Sequence, residues 1–275
     1  MKTKFNFFSQ LIILSVAFFI YSNLLAQTEW KSLFNGKDMS GWEVKNGTAK
    51  YHIEGNSIVG TSRTGTPNTF LCTKEIYGDF ILELEVLVSP GLNSGIQFRS
   101  SSIKSYRDGR VHGYQCELDT SERAWTGGIF DEARRGWLYP LTINYKGSKS
   151  FVNGTWNKVR IEAIGDSIKT FINEIQCSNL VDDMTSNGFI ALQVHSISAK
   201  ELEGKTIKWK NIKIITENLD QYRTKNQRHA RQISYLNNKL TQRKREKAGN
   251  CFGMVKLQRD GRVLKLISFL NLELL

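Results

Sequence analysis

The sequence predicts an all-β fold, an antiparallel sandwich running from Trp42 to Thr216, on three observations. Short apolar runs alternate with polar residues at a period of two, Gly, Asn and Asp divide the runs, and amphipathic helical spacing is almost absent. A segment of this size is an ordinary single domain for such an architecture.

The strands follow in order. Ser57–Gly60 and Phe70–Thr73 are short apolar runs. "FILELEVLV" (Phe80–Val88) sets Phe80, Leu82, Leu84, Val86 and Val88 against Glu83 and Glu85, the pattern of a strand with one buried face. Ser94–Arg99 and Gly109–Asp119 come next. "KVRIEAI" and "SIKTFINE" are separated by Gly165-Asp166, a two-residue spacer suited to a tight hairpin. Gly188–Ser196 and Thr206–Thr216 bring the expected total to ten or more strands.

Three of these strands share a pattern. In "GRVHGYQCELD", Val111, Gly113, Gln115, Glu117 and Asp119 fall on one face, and His112, Tyr114, Cys116 and Leu118 on the other. In "SGIQFRS", Gly95, Gln97 and Arg99 oppose Ile96 and Phe98; in "GFIALQVHSI", Phe189, Ala191, Gln193 and His195 oppose Ile190, Leu192 and Val194. Each strand therefore has a packing face and a face where polar groups follow a small residue. A merely solvated face more often carries Lys, Glu, Thr and Ser, so the pattern points to a sheet that gathers hydrogen-bonding groups around a polar ligand.

The flanks differ from this centre. Residues 1–27 combine Lys2 and Lys4, an apolar run from Leu11 to Ile20 and a small-residue cleavage point near Ala26, and are read as a secretory signal. A periplasmic or secreted protein is expected, with no stable membrane insertion after cleavage. The formal charge of +12 does not imply a nucleic-acid partner: residues 28–216 hold 23 Lys and Arg against 21 Asp and Glu, and the excess lies in 217–275, with 13 against 5. Cys72, Cys116, Cys177 and Cys251 lack a C-x-x-C spacing, and buried free thiols are expected. Residues 217–247 read as a partly helical linker through Ile233, Leu236 and Leu240. Residues 248–275 lack sandwich alternation; a shifted reading frame there can restore the spacing of Lys31, Leu33, Gly36, Lys37, Gly41 and Trp42, as if a second copy of the domain began and was lost to a frameshift.

"FNGKDMSGW", "SGIQFRS", "RVHGYQCELD", "GGIFDEARRGWLYP", "WNKVRIEAIGDSIKTFIN", "GFIALQVHSI" and "IKWKNIKI", in this order from about Trp30 to Thr216, together resemble the 3-keto-disaccharide hydrolase family, also described as a 3-keto-glucoside lyase and 3-keto-2-hydroxy-glucal hydratase domain. The resemblance implies a jelly-roll sandwich of the concanavalin A-like type, residues 28–216 as its domain, an exported bacterial protein, and a carbohydrate substrate oxidised at C3. A ketone at C3 acidifies the C2 proton; a base removes it, charge collects on the enolate oxygen, the C1 substituent departs, and water adds to the resulting glucal. That route needs a base, a stabiliser for the oxyanion and an acid for the leaving group.

The candidate catalytic residues are Glu117 as base, His195 as acid or base because imidazole titrates near neutrality, and Arg99 as a fixed positive donor fork. Gln97, Gln115 and Gln193 are candidates to orient hydroxyls. Asp131, Arg134, Arg135 and Trp137 are candidates for a rim loop with an aromatic plate for a sugar face. Each has a structural alternative: Glu117 paired with Arg99 across strands, His195 merely hydrogen-bonded, and a self-paired ionic loop with Trp137 packed inward. Glu117, Asp119 and the glutamines also suit a divalent cation, although no spacing identifies a metal. Trp42, Trp156 and Trp209 are expected in the core. A non-catalytic carbohydrate-binding module on the same fold is the alternative function.

Overall fold

The computed structural model describes residues 30–225 and short strands at 231–233, 258–259 and 262–263; the segment read as a secretory signal and nearly all of the tail lie outside the described residues. Strands β1 (Lys31–Ser32), β2 (Trp42–Asn46), β3 (Lys50–Glu54), β4 (Ser57–Thr61), β5 (Thr69–Thr73), β6 (Phe80–Val88), β7 (Asn93–Ser101), β8 (His112–Asp119), β9 (Ile129–Glu132) and β10 (Gly136–Tyr139) fill the first half. They are followed by β11 (Asn157–Ile164), β12 (Ser167–Ile172), β13 (Ile175–Asp182), β14 (Phe189–Val194), β15 (Thr206–Ile215) and β16 (Arg231–Ile233). The unit of residues 235–275 contains a two-stranded hairpin, β17 (Gln258–Arg259) and β18 (Arg262–Val263).

The main unit is the expected jelly-roll sandwich. One sheet runs β16-β13-β12-β11-β6-β15-β4-β3, with β1 paired to β15; the other runs β10-β9-β8-β7-β14-β5-β2. All pairings are antiparallel except β13 with β16, whose parallel register sets Leu180 against Arg231. Ile233, assigned by spacing to a helical linker, thus ends an edge strand. Among the described residues no helix is long and apolar enough to cross a membrane.

Strand parity places the core. Phe80, Leu82, Leu84, Val86 and Val88 of β6 face Ile96, Phe98, Tyr114, Cys116, Leu118, Leu192 and Val194 of the second sheet, and all are buried. Each large apolar side chain taken out of water contributes about 1.5–3 kcal/mol. Trp42 and Trp209 join this core, whereas Trp156 is half-buried under the Lys210 ammonium, 4.2 Å from its ring centroid. Cys72 and Cys116 are buried free thiols whose pKa values burial pushes up, and Cys177 is buried as well.

Parity fails at one place that matters. Phe98 pairs with Tyr114 but Ser101 pairs with His112, and Ala191 pairs with Gln97 but Phe189 with Ser100. β7 therefore carries one residue more than either neighbour over this interval. Arg99, at φ 44°, lies in this β-bulge. The crowded backbone is tolerated because glycine flanks it on both sides: a Cβ on Gly113 would overlap Ser100 Oγ, and one on Gly188 would overlap the Ser100 backbone.

Candidate functional site

The outer face of the seven-stranded sheet, away from the core, holds an amide row. Phe70 of β5 pairs with Gln193, Ala191 with Gln97, Gln97 with Gln115, and Gln115 with Phe130, so the glutamines lie between two aromatic rings. Ser100 Oγ donates to Gln97 Oε1 at 2.8 Å, and Gln97 Nε2 donates to Gln115 Oε1 at 2.7 Å. That same oxygen accepts from Gln193 Nε2 at 3.0 Å, and Gln115 Nε2 donates to Glu117 Oε2 at 2.9 Å. Two accepted bonds on Gln115 Oε1 leave its amide one orientation, so the donors run in a single direction toward the carboxylate. Gly95 permits this arrangement, since a Cβ there would overlap the Gln115 side chain.

Glu117 is the terminus of the row. It accepts from Asn93 Nδ2 at 2.7 Å and from Arg123 Nη2 at 3.1 Å, and only 4% of it is exposed. Burial pushes its pKa above the usual carboxylate range, against the opposing pull of Asn93, Gln115 and Arg123. Arg123 also donates from Nε to Asp119 Oδ2 at 2.7 Å. Burial pushes Asp119 up as well, but the Ser121 and Arg123 donors more than offset it and hold this carboxyl below its ordinary value. The Arg123 guanidinium lies 4.7 Å from the Trp125 ring and 5.0 Å from Trp137; these two rings meet edge to face at 4.6 Å, with Phe130 against Trp137 at 5.1 Å. Two carboxylates and two indoles thus hold one half-exposed cation.

Beside the row is a cavity of about 730 Å³, lined by Phe70, Phe130, Glu132, Arg107, Arg110, Arg134 and His195 among others. The segment between β7 and β8 forms one wall. Val111 packs with Phe70, Cys72, Phe189 and Ala191 on the outer face. Asn46 ties this wall to β2, donating to Gly109 O at 3.0 Å and accepting from Val111 N at 2.8 Å, while Tyr106 Oη reaches Ala133 O at 2.7 Å. This cover explains why β8 is buried on both faces although one is polar.

The predicted site residues do not all meet. Gln97, Gln115, Gln193 and Glu117 form one connected network, and His195 lines the cavity with its Nδ1 2.7 Å from Ser196 O. Arg99 is elsewhere: the bulge turns it off the outer face, and the guanidinium bridges toward the opposite sheet, donating to Gly78 O at 3.0 Å, Gly165 O at 2.7 Å and Asp79 Oδ1 at 2.8 Å. The pairing of Arg99 with Glu117 is thereby replaced by Arg123 with Glu117. Asp131, Arg134 and Arg135 form a largely buried ionic cluster with Asp182 of β13, joining the two sheets at one end. Burial and the Asp182 hydrogen bond push the Tyr114 phenol, which also meets this cluster, up to about 12.

The sequence reading missed Arg123, Glu132, Arg110 and Phe130. The spacing of "DTSERAW", with Arg123 four residues after Asp119 and two before Trp125, was the available sign of the first. Among the described residues no group of three or more His, Cys, Asp or Glu side chains is placed to hold a metal ion, and Glu117 and Asp119 share the Arg123 guanidinium instead.

Known proteins resemble this chain to different extents. A candidate glycosyl hydrolase from Parabacteroides distasonis ATCC 8503 is 16% identical, with a TM-score of 0.49, covering 69% of this chain and 94% of that one. The carbohydrate-binding module CBM66 from Bacillus subtilis is 20% identical, with a TM-score of 0.43 over 65% of this chain and 97% of that one. A Bacillus subtilis protein of unknown function with a galectin-like fold is 8% identical, with a TM-score of 0.48 over 68% and 98%. No curated protein matches the sequence. Residues 29–215, the sandwich that carries the amide row and its cavity, match the family described as the 3-keto-alpha-glucoside-1,2-lyase-like domain, and the chain belongs to that family.

Proposed function

We propose that this domain is an exported carbohydrate-active enzyme that eliminates the C1 substituent of 3-keto-glucosides and hydrates the product. The observation that carries the reading is the buried Glu117 carboxylate at the receiving end of a one-directional amide row, on the outer face of the sheet that lines the cavity. Burial makes it more basic than an ordinary carboxylate, which suits abstraction of a proton acidified by a neighbouring ketone. Electrons from the C2–H bond pass into the enolate, and the C1–O bond then breaks with its oxygen taking a proton. His195, on the cavity wall, is assigned as the donor of that proton. Glu117 stands on β8 and His195 directly follows β14, with β7 between the two strands, so base and acid are separated by about 10 Å across the sheet and further along it. Gln97, Gln115 and Gln193 hold the floor rigid between them. Trp137 and Trp125 supply an aromatic surface once Arg123 swings away. The Asp131, Arg134 and Arg135 cluster shapes one end of the cavity.

A second reading, a non-catalytic sugar-binding module, draws on a different feature: Arg123 closes over Glu117 and neutralises it. Incubation of purified protein with a 3-keto-glucoside separates the two. Product formation that Glu117→Gln abolishes supports the enzyme; saturable binding with no turnover by the native protein supports the module. Export is checked by fractionating the producing cells and sequencing the mature N-terminus, expected near Gln27.

A further inference from the structure

The cavity holds one charge that nothing in the fold uses. Three arginines and three carboxylates line it: Arg107, Arg110 and Arg134, with Asp108, Asp131 and Glu132. Every carboxylate has its own cation. Glu132 takes Arg110 at 3.3 Å, Asp131 takes both Arg134 and Arg135, and Asp108 takes Lys104, whose ammonium lies on the same exposed segment. Among the described residues Arg107 has no carboxylate partner; its guanidinium lies only 5.5 Å from the Tyr106 ring centroid.

The backbone holds this arginine where it stands. Arg107, Asp108 and Gly109 have φ of 45°, 57° and 83°, a left-handed turn in which two non-glycine residues are strained. Its ends are fastened by Ser102 Oγ donating to Gly109 O at 2.6 Å, by Asn46 donating to the same oxygen, and by Tyr106 reaching Ala133. The rest of the fold thus opposes the strain of placing Arg107 on the cavity wall, a common property of ligand clamps.

From this we infer that the sugar accommodated by the cavity carries an anionic oxygen group, a carboxylate or a sulfate ester, that docks on the Arg107 guanidinium. This inference rests on the reading of the cavity as a sugar site. A planar fork of donors suits either group, and a charge-assisted pair with this exposed guanidinium on the cavity wall outweighs a neutral hydroxyl contact.

The test is calorimetric titration of the full-length protein at low salt with methyl glucoside, methyl glucuronide and glucose 6-sulfate, repeated with Arg107→Gln and Arg107→Lys. At least one anionic sugar is expected to bind about tenfold or more tighter than methyl glucoside, to lose that advantage in Arg107→Gln, to keep part of it in Arg107→Lys, and to weaken as salt rises. Which of the two binds better identifies carboxylate or sulfate. Equal binding of neutral and anionic sugars, or an advantage that survives Arg107→Gln, overturns the inference and leaves the sugar site standing. Binding of none of the three sugars overturns this inference, and if a 3-keto-glucoside is not turned over either, the sugar site falls with it.

Discussion

Arg123 Nη2 donates to Glu117 Oε1 at 3.1 Å while its Nε donates to Asp119 Oδ2 at 2.7 Å, so one guanidinium covers the carboxylate at the end of the amide row. The cation is held from above by Trp125 and Trp137. Arg123 therefore acts on the candidate base through charge and position, without belonging to the row.

Replacing Arg123 tests that relation. Glu117 already sits above the usual carboxylate range because it is buried, and Arg123 opposes the shift. Arg123→Ala is expected to raise Glu117 further, moving the acid limb of the kcat/KM profile to higher pH, while Arg123→Lys moves it less. Stability follows the same sign. Asp119 is held low by Ser121 and Arg123, so its contribution is present above the ordinary carboxylate range and is lost as pH falls through its folded value. The gap in Tm between native protein and Arg123→Ala is expected to be widest near neutrality and to close in acid. A gap independent of pH contradicts this account.

Arg99 is expected to matter for folding. Arg99→Ala leaves the carbonyls of Gly78 and Gly165 without their donor and removes a side chain only 1% exposed. A loss of about 1–3 kcal/mol follows from the hydrogen bonds given up by the buried guanidinium, with water able to replace it at the exposed Gly165 carbonyl and little added for the half-exposed Asp79. Urea denaturation measures the loss, and at low temperature the folded variant is expected to retain its ligand affinity.

Asp182 locks the sheets together. Its carboxylate is fully buried, takes Arg135 at 2.9 Å through both guanidinium nitrogens, and accepts from Tyr114. Asp182→Asn removes one of the two carboxylates that hold the half-buried Arg135 and is expected to cost about 1–3 kcal/mol. The check is chemical denaturation; a change below 1 kcal/mol means that Asp131 alone satisfies Arg135.

Gly113→Ala tests the bulge. Its φ of 145° disfavours a side chain, and the added methyl meets Ser100. A destabilisation of about 2–4 kcal/mol is expected from strain and overpacking. Because Ser100 Oγ begins the amide row, the same variant should weaken ligand binding in a calorimetric titration.

Much of this molecule was legible before any coordinates. The alternation in Phe80–Val88 named the five inward side chains of β6, because a strand's period of two is set by its own backbone and one face must leave water. The same parity put Gln97, Gln115, Glu117 and Gln193 on one outer face. The Gly165-Asp166 turn is likewise local chemistry, and it closes β11 on β12.

What the chain alone left open depended on contacts between distant segments. A single extra residue in β7 reverses the side to which Arg99 points, and that bulge is defined only by the pairing of β7 with β8 and β14. The cavity wall depends on Asn46 meeting Gly109 and Val111, residues more than sixty positions away. The cation over Glu117 is chosen by a loop whose path is closed by Thr126 bonding back to Asp119. Sequence determines periodicity because sterics and solvent act residue by residue; which charges finally meet is decided by tertiary register, where a shift of one residue exchanges the two faces of a strand.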